Sequence, residues 1–107
     1  MDYKVVWTDP AIENLKNIVT YISGDNPTAA KSIGLGIYEH VNILSSFPFI
    51  TPIYAKSSEG DIRQIIFKRY RIFYRVKSDN PFVDILHVRD SSMDDPDIER
   101  DITSQWS

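Results

Sequence analysis

The chain has 107 residues, no cysteine and a formal net charge of −3 at pH 7. That length suits one domain with a single core, expected to take in residues 1–107, and the missing thiols exclude disulfides, thiolate metal sites and cysteine nucleophiles. No apolar run approaches the roughly 18 residues of a membrane span, and MDYKVVWTDP has no signal-like stretch, so a cytoplasmic protein without a membrane partner is expected.

Residues 3–7, YKVVW, predict a short opening strand. Thr8 then stands where a helix N-cap belongs, with Asp9 in the first turn and Pro10 where its missing N–H does no harm. Ala11, Leu15, Ile18 and Ile22 follow at three- and four-residue steps, so the first helix runs to about Ser23 and stops at Gly24. Asn26-Pro27 repeats the start signal. Ala30, Ile33, Ile37, Val41 and Leu44 form the apolar stripe of a second helix that ends before Phe47-Pro48. So short a link folds the two helices back as an antiparallel hairpin. Gly34 and Gly36 each cost that helix up to about 1 kcal/mol relative to alanine, a cost that close approach of the two helix backbones would offset.

Residues 47–61, punctuated by Pro48, Pro52 and Gly60, read as a loop. Strands are predicted over about 62–67 and 70–77. With Lys68-Arg69 as a two-residue turn, Phe67 pairs with Tyr70, Ile65 with Ile72 and Arg63 with Tyr74. Period two then assigns Ile65, Phe67, Tyr70, Ile72, Tyr74 and Val76 to the core face. Gln64, Ile66, Arg71, Phe73 and Arg75 take the opposite, solvent-facing side. A turn at Ser78–Pro81 leads into a last strand, FVDILHV (82–88), and an acidic tail over about 89–107, with a short helix from Asp95-Pro96 to about Gln105. The expected fold is α+β, in the order β-α-α-β-β-β. An antiparallel helical hairpin packs on one face of a mostly antiparallel four-stranded sheet.

Charge is distributed unevenly over this frame. Residues 62–78 hold six of the chain's twelve cations and no acid, so the segment carries +6 and everything else −9. Such a field focuses attraction for an acidic partner on one element. The low overall pI of about 5.2 speaks against a protein that coats nucleic acid by charge alone. Arg71 and Arg75, with Phe73 exposed between them and Gln64 and Ile66 alongside, have the composition of an interface centre.

The other notable side chains invite structural readings. Arg63, opposite Tyr74, is expected to pack or pair beneath the helices. Tyr70 and Tyr74 belong to the core face, and His40 to the helix surface. His87, the one histidine of the sheet, could serve as general acid or base but suits a hydrogen-bonded structural role better. The acids Asp90, Asp94, Asp95, Asp97 and Glu99 lack the glycine and terminal glutamate of a calcium loop, so no metal is expected. No glycine-rich phosphate cradle or G-x-S-x-G run is present, and no cofactor is expected.

The element order joins several residue patterns: Ala11, Leu15, Ile18, Tyr21 and Ile22 in the first helix, N-P-x-A-A at Asn26–Ala30, Arg63, Y-R-I-F-Y-R-V at Tyr70–Val76 and I-L-H-V at Ile85–Val88. Together, over residues 3 to about 94, they resemble the RelE/ParE superfamily of toxins from bacterial toxin–antitoxin pairs. The resemblance implies a cognate antitoxin whose tail wraps the toxin. It also implies one of two activities: RelE-like members cut messenger RNA on the ribosome with cations on the exposed sheet face, whereas ParE-like members lack those groups and poison DNA gyrase. Arg71 matches the arginine that would neutralise phosphate charge. Gln64 and Ile66 stand where the nucleases carry lysines, and Asp90-Ser91-Ser92-Met93-Asp94 replaces an H-G-x-R-D run, which sets a carboxylate where a cation is expected. The chain therefore reads closer to the ParE branch, as a toxin that binds a protein target, with DNA gyrase the leading candidate. The alternatives are a ribosome-dependent endoribonuclease using Arg71, Arg75, His87 and Arg89, and a non-toxic remnant that only binds its antitoxin.

Overall fold

Both long helices begin where the sequence offers a side chain to cap them. In the computed structural model, which describes residues 2–77 and 81–93, α1 spans Asp9–Ser23 and α2 Pro27–Val41. Thr8 Oγ1 accepts from the Ala11 N–H at 3.4 Å, and Asn26 Oδ1 accepts from the Ala29 N–H at 3.0 Å. Thr8 also donates to the Ile85 carbonyl at 2.6 Å, so the cap of α1 doubles as its tether to the sheet. Gly24 caps the end of α1, and α2 tightens into a 3₁₀ turn at Asn42–Ser45 that buries Leu44.

The strands are β1 (Lys4–Trp7), β2 (Ile53–Ala55), β3 (Ile62–Phe67), β4 (Tyr70–Val76) and β5 (Phe82–Asp90), followed by a 3₁₀ turn at Ser91–Met93. They form one sheet in the order β1-β5-β4-β3-β2, with β1 parallel to β5 and the remaining pairs antiparallel. The α+β class and the mostly antiparallel sheet are as expected. The strand count is corrected from four to five, because β2 forms inside the segment read as loop. Three residues after Pro52 are too few to display a period-two signal.

The hairpin register matches expectation: Phe67 faces Tyr70, Ile65 faces Ile72 and Arg63 faces Tyr74. Lys68, the first residue of the turn, has φ +54°. A non-glycine residue there costs roughly 1–2 kcal/mol, which pairing along the two strands offsets. Ile65, Tyr70, Ile72, Tyr74 and Val76 join Ala11, Ile37, Val41, Leu44, Val83, Ile85 and Val88 in the main core under the helices. Fully burying a large apolar side chain contributes about 1.5–3 kcal/mol, so this face provides most of the fold's driving force.

The two helix glycines serve different neighbours. A Cβ at Gly34 would lie 3.1 Å from Val19 Cγ2 of α1, so this position does let the helices approach. At Gly36 a Cβ would lie 2.5 Å from Phe67 Cζ; what it accommodates is a ring of β3, not the other helix. His40 is half-buried and packs on the same ring, centroids 5.4 Å apart, instead of standing free on the surface. Residues 89–93, expected to begin the acidic tail, instead complete β5 and form the 3₁₀ turn; the rest of that tail and the expected helix from Asp95-Pro96 lie outside the described residues.

Candidate functional site

Strands β3, β4 and β5 present a second face, away from the helices, and here the cations gather. Alternation turns Gln64, Ile66, Arg71, Phe73 and Arg75 to this side, and Arg89 follows Val88 of the helix-side core. In register, Ile66 lies across from Arg71, and Arg71 across from Arg89. The register thus brings two arginines side by side on this face, and guanidinium groups match carboxylate and phosphate geometry.

Arg71 is held in place. Its Nε donates to Gln64 Oε1 at 2.9 Å, and its guanidinium lies 5.2 Å from the Phe73 ring centroid and 5.7 Å from that of Tyr54. Stacking on two rings while one edge bonds to an amide fixes the plane of the fork that carboxylates recognise. Ile66, 56% exposed, adds an apolar group beside it.

Phe73 is not exposed, contrary to the sequence expectation. It is 0% accessible, packed with Ala55, Ile62 and Leu86 in a second small core. Tyr54 covers it edge-on at 5.0 Å between centroids. The aromatic surface beside Arg71 is therefore that of Tyr54, a residue the sequence reading passed over. The run Ile53-Tyr54-Ala55 between Pro52 and Lys56 was the available signal.

Arg75 is also withdrawn from solvent, at 6% exposure, with Glu59 Oε2 3.4 Å from its Nη1. Gly60, at φ +126°, makes this possible: a Cβ there would meet the Val76 carbonyl at 2.9 Å and Arg75 Cγ at 3.1 Å. The loop of residues 56–61 thus lies against Arg75. Arg75 is thus buried, contrary to expectation, whereas Arg71 is only partly buried.

His87 is buried, and its Nδ1 lies 2.9 Å from Asn14 Oδ1 of α1. The Val88 N–H donates to the same atom at 3.1 Å, which identifies it as the amide oxygen, so His87 Nδ1 carries the proton and donates. A bulge in β5 produces this orientation. Phe73 pairs with His87 but Tyr74 with Ile85, so Leu86 is the extra residue and takes the open-face position. The hydrogen bond expected of this histidine is present.

Arg63 reaches loop 48–51 and not the underside of the helices. Its Nη1 donates to the Thr51 carbonyl, and its guanidinium lies 5.1 Å from the Phe49 ring centroid. Tyr74 OH donates to the Pro48 carbonyl at 3.0 Å and, having one hydrogen, accepts from Thr51 Oγ1 at 2.7 Å. Burial pushes both Tyr70 and Tyr74 above the ordinary phenol range, so both remain neutral at physiological pH.

Asp90 does not face the cationic row, as the sequence comparison with a nuclease would place it. It pairs with Tyr70 and lines a groove with Asn17, Ile18, Tyr21 and Ile22 of α1. Arg69 grips it bidentately, Nε to Oδ1 at 3.0 Å and Nη2 to Oδ2 at 2.7 Å, and the Ser92 N–H donates to it at 2.9 Å. Hydrogen bonding from Arg69, followed by that from Ser92, holds the carboxyl below its usual range against the opposing effect of burial. Because the folded value lies below the unfolded one, the stabilisation is complete above about pH 4 and is lost as pH falls through the depressed value. Asp90→Asn should therefore melt below wild type near neutrality, and the gap should close as pH falls. A gap independent of pH in thermal unfolding would contradict this.

Among the described residues, no group of three or more His, Asp or Glu side chains is placed to hold a metal ion, and no helix is long and apolar enough to cross a membrane.

The class defined by this fold and face is a small α+β domain with a helical hairpin on one side of the sheet and a basic, aromatic-backed surface on the other. A family model, the ParE toxin of the type II toxin–antitoxin system parDE, matches residues 5–95, and the chain belongs to that family. It is thus a ParE/RelE-like toxin of the type II toxin–antitoxin class. Solved structures share the fold at low identity. The chromosomal ParDE system of P. aeruginosa superposes with a TM-score of 0.69 at 18% identity, over 82% of this chain and 95% of that one. The archaeal RelE–RelB complex from Pyrococcus horikoshii OT3 gives 0.66 at 16%, over 88% and 100%. An E. coli RelE mutant in the free state gives 0.67 at 13%, over the whole of both chains. No curated protein matches the chain in sequence.

Proposed function

We propose that this toxin acts by binding a protein target, DNA gyrase, and not by breaking bonds itself, and that a cognate antitoxin neutralises it. The contact surface is the open sheet face around Arg71, with Gln64, Ile66 and Tyr54. The carrying observation is the contrast between that arginine and the groups proton transfer would need. Arg71 is stacked and oriented at the surface, whereas His87 is tied to Asn14 and both Tyr70 and Tyr74 are buried in the helix-side core. Gln64 and Ile66 add no charge to stabilise a phosphorane. Each missing donor of that kind costs about 3–4 kcal/mol of transition-state stabilisation, or roughly 10²–10³ in rate. An antitoxin partner is supported by the family and by the fold shared with a ParDE system and a RelE–RelB complex.

The Arg71–Arg89 opposition favours one other reading, a ribosome-dependent endoribonuclease that holds phosphate between the two guanidinium groups. Two assays separate the readings. Purified protein is expected to lower supercoiling by purified gyrase, less so as Arg71→Ala, and to leave message on translating ribosomes intact. Full supercoiling at a large excess of folded wild type would remove gyrase as target. Codon-positioned cuts that disappear in Arg71→Ala would establish the nuclease. Neither effect, with antitoxin binding retained, would leave a non-toxic antitoxin-binding remnant.

A further inference from the structure

Regular alternation along β2 would turn Tyr54 and Ala55 to opposite sides of the sheet. The pairing with β3 departs from that rule. Ile53 faces Arg63 but Ala55 faces Ile62, so Tyr54 is the extra residue of a bulge. Tyr54 and Ala55, consecutive in sequence, therefore both pack with the small core around Phe73. On the other side of β4, the bulge in β5 adds Leu86 to the same core. A bulge in β2 and a bulge in β5 thus converge on one buried ring, and Arg71 stands two residues before it in β4.

From this construction we infer that Tyr54 and Gln64 are positioning residues for Arg71, ordering its guanidinium before a carboxylate of the partner arrives. The Arg71 guanidinium lies 5.7 Å from the Tyr54 ring centroid and 5.2 Å from that of Phe73. Gln64 pairs across with Phe73, not with Arg71, and reaches diagonally to accept from Arg71 Nε at 2.9 Å. Two rings and an amide oxygen, drawn from three strands, thus converge on one long side chain. An arginine that is ordered only on binding loses rotamer freedom at that moment, and one ordered beforehand escapes that loss. Tyr54 and Gln64 bring no charge of their own, so their effect on affinity passes through the order of Arg71. Ile66, directly across from Arg71 and 56% exposed, calls for an apolar group beside the carboxylate, a combination that a protein segment offers. The inference rests on the reading of the open sheet face as the contact surface.

Two measurements test this. On the chain alone, NMR relaxation at the Arg71 Nε–Hε group is expected to report a rigid side chain in wild type and a mobile one in Tyr54→Leu and Gln64→Leu. With purified cognate antitoxin, titration calorimetry is expected to give a Kd about 3- to 30-fold weaker for each variant, recovered in Tyr54→Phe, which keeps the ring. In an Arg71→Ala background neither leucine substitution should have a further effect, because a residue that acts through Arg71 is silent without it. One that only supports the sheet would still weaken binding there. Unchanged affinity in Arg71→Ala itself would remove the open face from the contact, and the inference with it. Affinity weakened by Arg71→Ala but not by the leucine variants, or weakened by them equally with and without Arg71, overturns the inference and leaves the contact surface standing. So does an Arg71 side chain that is already mobile in wild type. Should Tyr54→Leu fail to fold, Gln64→Leu carries the test.

Discussion

Arg71→Glu is expected to weaken binding of the antitoxin by about 2–4 kcal/mol, roughly 30- to 1,000-fold in Kd. Three interactions are lost together: the hydrogen bond to Gln64, the stacking of a cation on Tyr54 and Phe73, and attraction for carboxylates of the partner. Reversal also places a negative group opposite Arg89, which collapses the local potential instead of merely reducing it. Arg71→Lys should fall between the two, since an ammonium keeps the charge but loses the fork and much of the stacking. Titration calorimetry at two salt concentrations measures both terms. The wild-type affinity should drop as salt rises, because exposed charges are screened beyond about 8 Å at physiological ionic strength. An Arg71→Glu protein that melts normally and binds with unchanged affinity would take this face out of the antitoxin interface.

Tyr74→Ala is expected to cost about 3–5 kcal/mol of stability, a large part of the 5–15 kcal/mol typical of a domain. The ring is wholly buried in the main core, and its hydroxyl is the shared anchor of Pro48 and Thr51. Tyr74→Phe separates the two contributions. It keeps the ring and strands a buried carbonyl and a threonine hydroxyl, for about 1–3 kcal/mol. Urea unfolding resolves these values. If Tyr74→Phe proved as stable as wild type, the hydroxyl would not hold the loop.

Much of the fold is legible in the residues because local rules act within a few positions of one another. Thr8 and Asn26 cap helices wherever they precede an apolar stripe of the right period. The pairing of Arg63 with Tyr74 follows from a two-residue turn and strict alternation, and the structure has it even though Lys68 must adopt a positive φ. The basic segment and the patterns from Ala11 to Val88 carry the family in the same way. Alternation assigns a side chain to a face, however, and says nothing of what lies over that face. Phe73 and Arg75 sit on the side expected of them yet are buried, because β2 and the loop around Gly60 fold across it. The bulge at Leu86 leaves no mark in a run as uniformly apolar as ILHV, but it takes His87 to Asn14, 73 residues away in sequence. Asp90 turns to Arg69 on the helix side for a similar reason: two oppositely charged groups 21 positions apart meet only once the hairpin and β5 are paired. Sequence thus determined the elements, their registers and the charge of the surface. Tertiary packing decided which of those charges reach solvent, since covering depends on long-range contacts that no local period records.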